Sequence, residues 1–278
     1  MQVYEYMDIG SAKIRPEEMQ GVPHYLIDDF ETMGMNSMSS GFQQMAKNAM
    51  EQIYANGHIP IVVGGTGFYI QALLYDIDFT STAQDDTYRA ELENLVKEKG
   101  AAYLHNMLRK VDPKSAEDIH ANNVKRVIRA LEYYRQTGQK MSEHNEEERR
   151  KESPYEFVYF VLNAPREQLY ARIDRRVDQM IEEGLVDEVK HLKELGCTKE
   201  MVSMQGLGYK EILAYLDGEC DLDTAVYTIK RDTRHFAKRQ LTWFRRERQV
   251  TWIQKEVYDY DEDRILKAML SHLEGRIC

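Results

Sequence analysis

An α/β fold carrying a helical insertion is predicted by three features of the sequence. Two short runs rich in β-branched and aromatic residues, Ile59 to Val63 and Tyr155 to Leu162, have the length and composition of buried parallel strands. Segments with apolar residues at three- and four-residue spacing surround them, as crossover helices surround a parallel sheet. From about Thr80 to Arg150 the strand signal disappears and only helical periodicity remains. The predicted organisation is therefore an α/β core, residues 1–79 and 151–278, interrupted by a helical insertion at 80–150.

The elements follow in order. Ser40 to Ala55 places Phe42, Met45, Ala46, Ala49, Met50 and Ile53 on one helical stripe, and Gly57 stops it. The strand Ile59 to Val63 then runs into Gly64-Gly65-Thr66-Gly67 and an apolar stretch, Phe68 to Leu74, so a ligand edge is expected at the strand's carboxyl end. In the insertion, Thr87 to Lys99, Ala101 to Val111 and Asn123 to Thr137 are helical in period. Glu143 to Glu152 reads as a charged, solvated connection. After the second strand come four more helices: Arg166 to Glu183, Val186 to Leu195, Tyr209 to Leu216, and Leu222 to about Glu247.

With 278 residues the chain can bury a large core, and its 42% hydrophobic and 30% charged composition is that of a globular protein. No apolar run approaches the roughly 20 residues of a spanning helix. No leader opens the sequence, and the cysteines, Cys197, Cys220 and Cys278, are few and far apart, which fits a reducing, cytoplasmic setting. The histidines lack any zinc-site spacing, so no protein-held metal is expected. The net charge of −10 argues against bulk attraction to nucleic acid, but the charge is unevenly spread. Ala225 to Val250 holds eight Lys and Arg against two acids, and Asn122 to Lys140 holds five against one. Two basic islands on an acidic chain are how such a protein presents a local polyanion site.

Three segments can carry chemistry. The glycines of the 64–67 turn let backbone N–H groups and the Thr66 hydroxyl approach a ligand, although a tight structural turn would need the same glycines. On the last long helix Arg231, Arg234, Lys238 and Arg245 share a face, and arginine pairs bidentately with phosphate. Arg172, Arg175, Arg176, Asp174 and Asp178 crowd another helix, for which intrahelical ion pairs are the plainer reading. Gln205 to Lys210, QGLGYK, is a flexible loop entering a helix.

In order along the chain, Met1 to Asp28, Val62 to Leu73 (VVGGTGFYIQAL), Asn122 to Glu132 (NNVKRVIRALE), Ala171 to Val189, Gln205 to Glu211 and Phe236 to Arg245 (FAKRQLTWFR) resemble the successive motifs of the tRNA dimethylallyltransferase family. The resemblance implies a P-loop NTPase-like parallel-sheet core whose helical insertion grips the anticodon arm. The implied reaction moves a dimethylallyl group from dimethylallyl diphosphate to N6 of the adenosine 3′ of the anticodon, a base that must leave its stack to react.

Site roles follow from the same resemblance. Thr66 would act beside the reacting adenosine, in the turn formed by Gly64, Gly65, Gly67 and Tyr69. Arg172 and Arg176 would close over the diphosphate, with Arg175 an alternative. Met1 and Gln2 would touch the target nucleotide. The remaining tRNA contacts would come from Lys125, Arg126, Val127, Ile128 and Arg129, from Gln205, Gly206, Leu207, Gly208, Tyr209 and Lys210, and from Lys238, Arg239, Gln240, Leu241, Thr242, Trp243, Phe244 and Arg245. Magnesium would arrive with the diphosphate. The resemblance further implies a monomer of bacterial type, since the zinc finger of eukaryotic members has no Cys/His counterpart here.

One departure is large. The family's GxxxxGK[ST] loop, its first helix and an Asp-Ser pair before the Met-Gln-Val-Tyr block do not occur in this sequence, which starts inside that block. The Asp is the family's general base for the N6 proton. The expectation is a truncated or incompletely covered chain that binds tRNA weakly and does not complete the transfer as it stands. The alternatives are an adenylate isopentenyltransferase, acting on a free nucleotide, and a non-catalytic tRNA-binding remnant.

Overall fold

Most of the predicted periodicities become helices in the computed structural model, which describes residues 1–30, 38–77 and 86–273. Thr80, where the insertion was expected to begin, and Cys278 lie outside the described residues. In chain order the elements are α1 (Met38–Ala55), α2 (Gly67–Leu74), α3 (Asp86–Lys99), α4 (Ala101–Val111), α5 (Pro113–Asp118), α6 (Val124–Thr137), α7 (Met141–Arg150), β1 (Tyr159–Asn163), α8 (Arg166–Glu182), α9 (Leu185–Glu194), α10 (Tyr209–Leu216), α11 (Leu222–Phe244), β2 (Val250–Gln254) and α12 (Glu262–Leu273). The chain divides into two compact units, Met1–Ile70 with Glu156–Cys278, and Gln71–Tyr155.

In the first unit β1 and β2 pair in parallel, with Tyr159 opposite Val250 and Asn163 opposite Gln254. The helices α8 to α11 form the connection between them, so the unit is α/β. Its core joins the amino-terminal segment to those helices: Tyr4 and Met7 meet Leu185, Leu192, Met204 and Ile212, all at most 1% exposed. Removing each such side chain from water is worth about 2 kcal/mol. Asp174 accepts from Arg234 at 2.6 and 2.8 Å and Asp178 pairs with Lys230 at 2.5 Å, so α8 and α11 lie antiparallel. The carboxylates read as intrahelical partners thus reach across to a second helix.

The second unit is helical throughout. Leu92, Leu104, Leu108, Val127 and Leu131 of α3, α4 and α6 pack together, each at most 4% exposed. Glu132, 2% exposed, receives Arg89 in a two-point pair of 2.8 and 2.7 Å, linking α6 to α3. No helix of the described residues is long and apolar enough to cross a membrane.

Three expectations need correction. Ile59 to Val63 forms no strand: Ile59, Ile61 and Val63 are 71%, 84% and 89% exposed. Strand propensity measures how side chains fit a pleated, half-buried surface, and among the described residues no neighbouring strand supplies one. The charged run from Glu143 is largely helix α7, supported by the Glu146–Arg150 pair one turn apart at 2.5 Å and by Asp112 accepting from Ser142 N at 3.0 Å. The second strand starts at Tyr159 and not Tyr155, since Tyr155 N is turned back to Ser153 Oγ at 3.0 Å. Its partner β2 was not anticipated, although Val250-Thr251-Trp252-Ile253 has the β-branched and aromatic character of a strand.

Candidate nucleic-acid interface

The 64–67 turn and the last turns of α11 form one piece of structure. Gln240 Nε2 donates to Gly65 O at 2.6 Å, and the Trp243 indole lies where a side chain on Gly67 would have to be. That close approach explains the glycine at position 67. Phe68 meets Trp243 edge-on at 6.4 Å, and Phe42 lies against Tyr69 at 4.8 Å. Burial pushes the Tyr69 hydroxyl above its ordinary pKa, so it stays protonated. Gly64 faces open space and Thr66 is exposed, while the Thr66 carbonyl accepts from Tyr69 N at 2.9 Å as α2 begins.

The cations of α11 fall into two groups. Lys230 and Arg234 are held by α8, and Arg231 pairs with its neighbour Asp232 at 2.8 Å. Arg231 and Arg234 therefore do not join the ligand-facing set the helical spacing suggested. Toward the carboxyl end, Lys238 and Arg239 on α11 and Arg245 and Arg246 just past its last residue are exposed, and no carboxylate among the described residues pairs with them. His235, Lys238, Arg239, Thr242, Trp243 and Arg246 line an open hollow of about 400 Å³. Cations beside an aromatic floor are what a single-stranded nucleotide stretch needs: charge for phosphate and a flat apolar face for a base. Arg246 belongs to the basic island but not to the predicted site residues, and only its place in the hollow, which no local pattern reveals, adds it to them.

Other predicted site residues separate by exposure. Leu241 is half-buried, and Phe244 is buried against Tyr159, so it packs. Met1 lies against Gly206, bringing the amino terminus to the 205–210 segment, and Gln2 donates to Ala12 O at 2.8 Å. Gln205 is exposed and donates to Lys199 O, Leu207 is half-buried, and Lys210 sits 3.4 Å from Glu211. Gly208, at φ +95°, holds a left-handed conformation that suits glycine as α10 starts. Tyr209 is fully buried and presents no face to a ligand.

Arg172 and Arg176 are exposed on α8. At 100° per residue they are turned well away from Asp174 and Asp178, the side that meets α11, so the structure does not bring them to the hollow. Arg175 Nε points back to Ala171 O at 3.4 Å. In the helical unit Lys125, Arg126 and Arg129 are exposed along α6, whereas Val127 and Ile128 are 0% and 4% exposed and belong to the core. Among the described residues no group of three or more His, Cys, Asp or Glu could hold a metal ion.

The family described as IPP transferase matches residues 2–247. The tRNA dimethylallyltransferase of Lachnoclostridium phytofermentans is 59% identical over 273 residues, covering 98% of this chain and 87% of that protein. Among solved structures, the full-length tRNA isopentenylpyrophosphate transferase from Bacillus halodurans is 42% identical with a TM-score of 0.65, covering 98% of this chain and 88% of that one. A eukaryotic dimethylallyltransferase, solved in snapshots of its action on tRNA, is 30% identical with a TM-score of 0.79, over 97% of this chain and 69% of that one.

Proposed function

The chain belongs to the IPP transferase family, and on that premise we propose that it takes part in transfer of a dimethylallyl group from dimethylallyl diphosphate to N6 of the adenosine 3′ of the anticodon in tRNA. The observation that carries this reading is the joining of the glycine turn to the cationic end of α11, through Gln240 on Gly65 and Trp243 over Gly67. An extruded adenine would lie beside Thr66 and Tyr69, while Lys238, Arg239 and Arg246 neutralise flanking phosphates. The transfer forms a bond from N6 to the first carbon of the dimethylallyl group and breaks that carbon's bond to diphosphate, and N6 then gives up a proton. Arg172 and Arg176, which lie exposed on α8 outside the hollow, are proposed from the family resemblance alone to offset the charge that grows on the departing diphosphate. Magnesium belongs to this reading as a counter-ion that the diphosphate would carry. The protein is proposed to act as a cytoplasmic monomer.

The adenylate reading gains nothing from the relatives, which are named for tRNA. Displacement separates the two. AMP at a hundredfold excess is expected to leave a bound anticodon stem-loop in place, and displacement by AMP would transfer support to the free-nucleotide enzyme.

A further inference from the structure

Glu188 lies in the first turn of α9, half-buried, where the helix's free N–H groups favour a carboxylate. Its own bonds reach far from that helix. One oxygen accepts from Asp8 N at 3.0 Å and Ile9 N at 2.6 Å; the other accepts from Gly10 N at 3.1 Å and from the Tyr209 hydroxyl at 2.8 Å. Among the described residues no lysine or arginine pairs with it. Three successive backbone N–H groups and a phenol therefore take the place of a cation, and together they fill the carboxylate's acceptor sites.

The Tyr209 hydroxyl is held well above its ordinary pKa, first by burial and then by the neighbouring Glu188 charge, so it is fixed as a donor. A side chain on Gly10 would run into the Tyr209 ring, which shows how closely the loop and ring meet. The same loop continues to Ser11 and Ala12, whose carbonyls accept from Gln2 Nε2 at 3.4 and 2.8 Å, while Met1 rests on Gly206. One carboxylate thus joins the Met1–Ala12 segment to the Gln205–Lys210 segment.

We infer that Glu188 is a positioning residue: it sets the Asp8–Gly10 loop and Tyr209 in fixed relation, and so holds Met1, Gln2 and the Gln205–Lys210 segment in the arrangement that meets RNA. The inference rests on the proposed function for its RNA half alone. Glu188→Gln keeps the side chain's size but turns one acceptor into an NH₂ group facing N–H donors. In this variant the Asp8, Ile9 and Gly10 amides are expected to exchange with solvent at least tenfold faster. Amides of Leu222–Phe244 should stay within twofold, and affinity for an anticodon stem-loop should fall at least tenfold. A residue serving global stability alone would speed exchange in α11 as well.

Unchanged exchange in the loop overturns the positioning role, and faster exchange with unaltered RNA affinity overturns its link to RNA. A wild-type protein that ignores the stem-loop would sink the proposed function, while the exchange measurement would still report on the loop. Should Glu188→Gln not fold, Tyr209→Phe removes one donor of the four. Its expected signature is the same in direction, about threefold at Gly10 and in RNA affinity, and no change in either overturns the inference.

Discussion

Replacing Asp112 by alanine is expected to destabilise the helical unit by about 3 kcal/mol. The residue has no exposed surface, and its carboxylate takes four hydrogen bonds: Ser115 N and Ser142 N at 3.0 Å, and the Ser115 and Ser142 hydroxyls at 2.6 Å. It therefore caps the starts of both α5 and α7, two helices whose first residues are 28 apart. Each lost cap costs about 1 kcal/mol and each serine left without its charged acceptor about 1 kcal/mol more, partly offset because no carboxylate then needs desolvating.

The same site makes stability depend on pH. Burial alone would raise the Asp112 pKa, but the four hydrogen bonds outweigh it and hold the carboxyl below its ordinary value. A depressed folded pKa means the contribution is fully present above the unfolded value, about 3.9, and is lost as pH falls through the folded one. Denaturant unfolding of wild type and Asp112→Ala at neutral pH and at about pH 3 should show the gap narrowing in acid. A gap below about 0.5 kcal/mol at neutral pH, the range of an ordinary surface change, would contradict the capping role.

The second large effect concerns RNA. Changing Lys238, Arg239 and Arg246 together to alanine is expected to weaken anticodon stem-loop binding by about a hundredfold at low salt and to reduce the log–log salt slope by about three, one per phosphate contact. These three are exposed and without carboxylate partners among the described residues, so their loss leaves no buried charge behind. Arg234→Ala differs in kind, because it abandons Asp174 at the α8 contact and should lower stability as well. Fluorescence anisotropy across a salt series, with a thermal melt beside it, separates these cases. An unchanged slope in the triple variant would remove α11 from the interface.

How much of this was legible in the sequence depended on whether a signal was local. Periodicity placed α4 and α10 to the residue because a helix satisfies its backbone within itself. Ile59 to Val63 misled because a strand needs a neighbour that no local pattern supplies, while Val250–Gln254 became a strand by finding one in β1. The spacing of Arg231, Arg234, Lys238 and Arg245 put them on one face, yet which of them were free depended on Asp232 beside the first and Asp174 sixty residues from the second. Glu188 falls inside the Ala171–Val189 block, but nothing in the sequence marked its role, since three of its partners are backbone N–H groups some 180 residues distant. The six motif blocks were legible, and the residues buried within them, Val127, Ile128, Tyr209 and Phe244, were not distinguished from the exposed ones until the packing was seen.

The most direct test of the central claim is to locate the target base. An anticodon stem-loop carrying a photoreactive 6-thioguanosine 3′ of the anticodon would be bound, irradiated and the attached peptide identified. Attachment within residues 62–73 or 236–246 is the predicted result. Attachment confined to the helical unit, or none at all from a bound stem-loop, would contradict the account.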